Sequence, residues 1–143
     1  MNRAEIVADA VNVLLGAYLL RDADGQARPL PYNPLDYQVI RFVGAHPGAR
    51  ATDIAESVRV AATTMQSALD RLLRQGLLAK SRSETDGRAR LYSLSDMGER
   101  IRADIRAQDI RNMSAILAAL PDDDAETLTR LMAKVAGRIA TQT

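Results

Sequence analysis

From Ala62 to Ser95 the spacing of the apolar residues changes twice, and this limits the possible folds more than any other feature of the chain. Met65, Leu69, Leu72 and Leu73 recur at intervals of three and four, the period of a helix buried along one face. Gly76 follows, where a helix C-terminus needs left-handed backbone. Leu77-Leu78-Ala79-Lys80 and Arg90-Leu91-Tyr92-Ser93-Leu94 then read as two short strands. The polar, Gly-containing stretch between them, Ser81 to Arg88, suits a hairpin tip. Ser95 is placed to cap the next helix.

The flanking segments complete the element order. Asn33-Pro34 opens a helix with a capping oxygen and a proline at the first helical position, and Asp36 favours the positive end of its dipole. His46-Pro47-Gly48 stops it. A short helix is expected over Thr52 to Val58, a tight turn at Arg59-Val60-Ala61, and the next helix over Ala62 to Gln75. Asn2 to about Leu20 has the spacing of a first helix. A turn-rich connector follows, in which Asp24-Gly25 could close a small hairpin. A long helix is expected from Ser95 to about Leu120, and a last one after Pro121-Asp122-Asp123-Asp124, whose acids suit a helix start. Short helix, turn, helix and hairpin in this order make a winged helix-turn-helix. The predicted fold is mainly α with a small β-hairpin wing. It is one domain, 1–143, with a DNA-binding lobe at 34–95 and dimerisation helices at 1–33 and 96–143.

Composition removes other classes. With 143 residues the chain can bury a core without cross-links. It has no Cys and one His, His46, which excludes disulfides, thiol redox sensing and a His-rich metal site. No cofactor is expected. There is no phosphate-binding loop, no dinucleotide glycine fingerprint and no nucleophile elbow, so an enzyme is not expected. No apolar run is long enough for a membrane span, and no basic-then-apolar opening follows Met1, so the expected location is cytoplasmic.

The charge distribution points to the middle of the chain. Between Arg50 and Leu94 eight Arg or Lys face five Asp or Glu, whereas the remainder is net negative. The outer face of the helix after the turn begins with Thr63, Thr64, Gln66 and Ser67, short hydrogen-bonding groups that permit close approach to base edges. Arg71 and Arg74 lie further along, where phosphates are the nearer targets. The wing carries Arg82, Arg88 and Arg90, with Asp86 among them. An arginine at a hairpin tip can enter a narrow minor groove, and a carboxylate two residues away can hold it in place. The same residues also fit an ordinary amphipathic helix and a solvated hairpin with an incidental ion pair.

Asp86-Gly87-Arg88-Ala89-Arg90-Leu91-Tyr92-Ser93-Leu94-Ser95-Asp96-Met97-Gly98 resembles the wing signature of the multiple-antibiotic-resistance regulator (MarR) family. Ile54-Ala55-Glu56 through Val60 and Leu69 through Leu78 resemble its helix-turn-helix. Ile116 to Val135 resembles its last two helices. The resemblance implies base reading by Thr63, Thr64, Gln66 and Ser67, a minor-groove Arg88 oriented by Asp86, and terminal helices that interlock two chains. It also implies a small aromatic or acidic effector between the dimer helices and the lobe, with Tyr18, Tyr37, Arg41 and His46 as the candidate lining residues, although tyrosines at such spacing are more often core or rim and His46 before Pro47-Gly48 reads more readily as a helix-end residue. Three positions depart from the family pattern. Ala61 stands where a hydroxyl usually caps the recognition helix, Arg50 where Thr or Ser opens the preceding one, and Gly87 where a second basic residue is common.

The outer helices carry more apolar groups than a small winged core needs, among them Ile6, Val13, Leu14, Ile101, Ile105, Met113, Leu131, Val135 and Ile139. A homodimer would cover them and set two recognition helices one turn of DNA apart, roughly 34–36 Å. The expected function is therefore a transcription regulator, a repressor, on double-stranded DNA. Its operator would be a pseudo-palindrome of roughly 16–20 base pairs. The alternative is a winged-helix protein–protein interaction module without DNA binding.

Overall fold

The computed structural model describes residues 1–19, 28–31 and 33–142. The Asp24-Gly25 hairpin lies outside the described residues. Helix α1, Arg3–Leu14, starts with a capping box: the Asn2 side chain accepts from the Glu5 N–H at 3.0 Å, and the Glu5 carboxylate accepts from the Asn2 N–H at 2.6 Å. It runs into a single wider π turn, Leu15–Leu19. Helix α2, Pro34–Ala45, is capped by Asn33, which accepts from the Leu35 and Asp36 N–H groups.

Gly48, at φ +80°, reverses the chain into a two-residue strand β1, Ala49–Arg50. Helix α3, Ala51–Val58, ends on Arg59 in left-handed backbone, and helix α4 spans Ala62–Arg74. Strands β2, Leu78–Arg82, and β3, Arg90–Leu94, form the wing. The antiparallel sheet has the order β1-β3-β2, with Arg82 opposite Arg90 and Ala49 opposite Tyr92. Helices α5, Asp96–Ala118, and α6, Asp122–Thr141, follow.

The core lies within the lobe. Val39, Ile40 and Val43 of α2, Ile54 of α3, and Met65, Leu69 and Leu72 of α4 are buried together with Tyr92 of β3. Ile105 belongs to this core and Ile101 packs against it, so these two do not lie on the dimer face expected for them. The α5 start is locked to the end of α4. The Ser95 hydroxyl donates to the Gly76 carbonyl at 2.6 Å and accepts from the Gly98 N–H at 3.0 Å. The Ser95 N–H donates to the Leu77 carbonyl at 3.0 Å.

Outside the lobe, α1 and α6 bury no residue. Val11, Leu14, Leu15 and Tyr18 face Met113, Ile116 and Leu117 of α5 and Leu128 and Met132 of α6 across an apolar groove. Among the described residues no helix is long and apolar enough to cross a membrane.

Candidate nucleic-acid interface

Helix α4 has its apolar stripe turned into the core, which leaves Thr63, Thr64, Gln66, Ser67 and Arg74 exposed. Neither α3 nor α4 has a side-chain cap: Arg50 and Ala61 stand at the two N-cap positions without such a bond. The first N–H groups of both helices are thus left to other acceptors. Ser67 folds back, its hydroxyl donating to the Thr63 carbonyl at 3.1 Å. Gln66 donates from Nε2 to the Asp70 carboxylate at 3.0 Å. An amide NH₂ has two hydrogens, so Gln66 can keep this bond and still offer one donor and its carbonyl oxygen.

The wing tip is self-bonded. The Ser83 hydroxyl accepts from the Asp86 N–H at 3.2 Å and lies 3.1 Å from the Thr85 hydroxyl. The Asp86 carboxylate accepts from the Arg88 backbone N–H at 3.1 Å, and its second oxygen lies 3.8 Å from Arg50 Nη1. The expected Asp86–Arg88 side-chain pair is therefore not what forms: Asp86 shapes the backbone at Arg88, and its charged partner among the described residues is Arg50. The cause is the short strand β1, which carries Arg50 alongside β3 and up to the tip. Both groups are half-exposed, so the pair contributes at most about 1 kcal/mol. Arg90 donates to the Gly87 carbonyl at 3.4 Å.

Gln66, Asp86, Arg88 and Arg90 share one cleft of about 360 Å³ with Arg50 and Thr52 at the start of α3. Four of the residues singled out in the sequence are thus brought together. Arg50 and Thr52 are additions; the lone signal for Arg50 was a cation at a position that usually carries a cap. Arg82 is exposed at the outer end of β2, opposite Arg90.

Arg71 departs from expectation. Its guanidinium does not lie open toward a phosphate but forks onto the Asp36 carboxylate of α2, with Nε donating to Oδ2 at 3.2 Å and Nη2 to Oδ1. The hydrogen bond from this half-exposed guanidinium to Asp36, with the attraction of the carboxylate, raises the arginine above its ordinary value despite partial desolvation.

The four residues expected around an effector do not line one cavity. The ring of Tyr37 is buried in the core, its hydroxyl donating to the Leu30 carbonyl at 2.8 Å. Tyr18 lines the apolar groove. Arg41 pairs with Asp109 at 2.7 Å and borders a separate cleft with Glu99, Arg102 and Arg106. His46 is exposed and stacks on Phe42 at 4.4 Å, with a ring nitrogen 3.1 Å from the Phe42 carbonyl oxygen.

Residues 30–89, which run from the approach to α2 as far as the wing, match the model of the MarR family. The whole chain is similar in fold to PcaV, a transcriptional regulator from Streptomyces coelicolor, at 23% identity over 99% of both chains with a TM-score of 0.71. It is similar to FabT of Streptococcus pneumoniae, solved in complex with DNA, at 17% identity over 98% of this chain and 96% of that one, TM-score 0.75. It is also similar to CouR, a transcriptional repressor solved on a 23-mer DNA duplex, at 22% identity over 94% and 92% of the two chains, TM-score 0.73. No curated protein sequence matches the chain.

Proposed function

We propose that this protein is a sequence-specific regulator of transcription, a repressor, that binds a pseudo-palindromic operator in double-stranded DNA as a homodimer. The observation that carries the reading is that Gln66, on the exposed polar start of α4, shares one cleft with the arginine-bearing wing. Thr63, Thr64, Gln66 and Ser67 would enter the major groove. There Gln66, steadied by Asp70, can serve adenine with one donor and one acceptor. Arg88 would reach the adjacent minor groove from the tip. Arg82 and Arg90 are directly opposite each other on the hairpin, an arrangement of like charges that repels in isolation and is relieved by an anion such as a phosphate. Arg50, in the same cleft, and Arg74, exposed at the end of α4, would be further phosphate partners.

Dimerisation is supported by the bare apolar faces of α1 and α6. Release by a small aromatic or acidic molecule forms part of the proposal. PcaV, 26% identical in its liganded form, has been solved with its natural ligand. The cleft bordered by Arg41, Arg102 and Arg106 would receive an acid in competition with Asp109, which pairs with Arg41, and Glu99, which pairs with Arg102.

The test is selection of bound sequences from random duplex DNA with the purified protein. The expected result is an enriched inverted repeat whose half-sites are centred one helical turn apart, roughly 10 base pairs. Recovery of no motif, with binding that ignores sequence, would refute the reading and favour an interaction module.

A further inference from the structure

The apolar contacts that seat α4 are non-directional: they choose which face is buried, but hold small rotations within that face less firmly. Among the described residues, one side-chain pair joins the body of α4 to a neighbouring helix. Asp36, in the first turn of α2 and 8% exposed, holds Arg71 two turns into α4 by both carboxylate oxygens. The carboxylate sits in the first turn of α2, at the positive end of the helix dipole. A planar guanidinium gripped by two bonds fixes orientation as well as distance. Arg71 is seven residues, or two helical turns, beyond Thr64, and therefore lies on the same flank of α4 as the residues offered to the DNA.

We infer that Asp36 and Arg71 are a clamp of two positioning residues that sets the rotation of α4 about its axis, and that Arg71 acts on DNA affinity through this clamp and not by touching phosphate. The inference rests on the DNA reading above, and its consequence is that affinity depends on Asp36, a carboxylate that DNA itself would repel.

The test compares wild type with Asp36→Asn, Arg71→Gln, Arg71→Lys and the double variant Asp36→Asn/Arg71→Gln, on the duplex recovered by selection and across a series of salt concentrations. Each single variant is expected to bind about tenfold more weakly, the scale of losing hydrogen bonds to a charged group. The slope of log affinity against log salt should stay at the wild-type value, and the double variant should be no weaker than the worse single one. Arg71→Lys keeps the charge and loses the fork, so it should not restore binding. A phosphate-contacting Arg71 gives a different pattern: a slope shallower by about 0.9 in Arg71→Gln, restoration by lysine, and no effect of Asp36→Asn. That pattern overturns the clamp.

A second arm needs no DNA. Hydrogen–deuterium exchange of the free protein should quicken across residues 62–74 in Asp36→Asn and Arg71→Lys, and unchanged exchange there overturns the clamp. Faster α4 exchange in a protein whose wild type binds no duplex would refute the DNA reading and leave the clamp standing.

Discussion

Single residues decide how tightly the lobe and the long helix are joined. A side chain on Gly98 would place its Cβ 2.1 Å from the Leu77 carbonyl oxygen, which is backbone and itself accepts from the Ser95 N–H. Gly98→Ala must therefore push α5 off the end of α4, and it should cost about 2 kcal/mol in denaturant unfolding, within the usual range for overpacking. Gly87 is the contrasting case. Its φ is not left-handed and an added Cβ meets nothing within 4 Å, so a side chain there is tolerated. Ser95 as a cap and Gly76 as a helix end were both legible in the sequence, because each rests on a local bond or a local φ. Gly98 was legible only as part of a signature, since the clash that requires it comes from a residue twenty-one positions earlier. Gln108 and Asn112 were not legible at all. They are polar on a helix and yet buried, Asn112 donating to the Tyr18 carbonyl at 2.8 Å, and a polar residue at helical spacing reads as solvent-facing.

The helices and the wing were read from periodicity with ends within one or two residues, but the two-residue strand β1 is too short to have a period. That small omission had a consequence at the site, because β1 delivers Arg50 to the wing and changes the partner of Asp86. The partner of Arg71 was hidden for a similar reason: its position on the outer flank was legible, but the α2 carboxylate that it grips lies thirty-five residues upstream. The wing offers a direct electrostatic test. Arg88→Ala should weaken binding of the selected duplex about tenfold and make the salt slope shallower by about 0.9, as one cation fewer releases one counterion fewer. Gly87→Lys should do the reverse, tightening binding at low salt and steepening the slope, with thermal stability unchanged. Fluorescence anisotropy across a salt series reads both. Equal slopes for all three proteins would place the tip away from the phosphates.

At the scale of the whole molecule the question is what holds α6 in place. An isolated helix of this length is marginal in water, and α6 gains little from its own chain, since none of its residues is buried. Leu131, Met132, Val135 and Ile139 are 45–63% exposed along one stripe, and Ile6, Val7 and Val13 of α1 are exposed by similar amounts. In the proposed homodimer a second copy would cover this pair of helices, and two-fold symmetry would present every side chain near the axis twice. Val135→Glu would then bury two carboxylates beside each other, a loss of several kcal/mol, on the scale of an uncompensated buried charge. It should convert the protein from a two-chain to a one-chain mass in light scattering at micromolar concentration. Helical signal in circular dichroism should fall as α1 and α6 fray. Binding to a full palindrome should drop to the level of a half-site, because the lobe itself, with its own core from Val39 to Ile105, stays folded. Wild-type protein running at the mass of one chain would remove the dimer. A Val135→Glu protein that kept both its two-chain mass and its full-site affinity would place the interface on some other face.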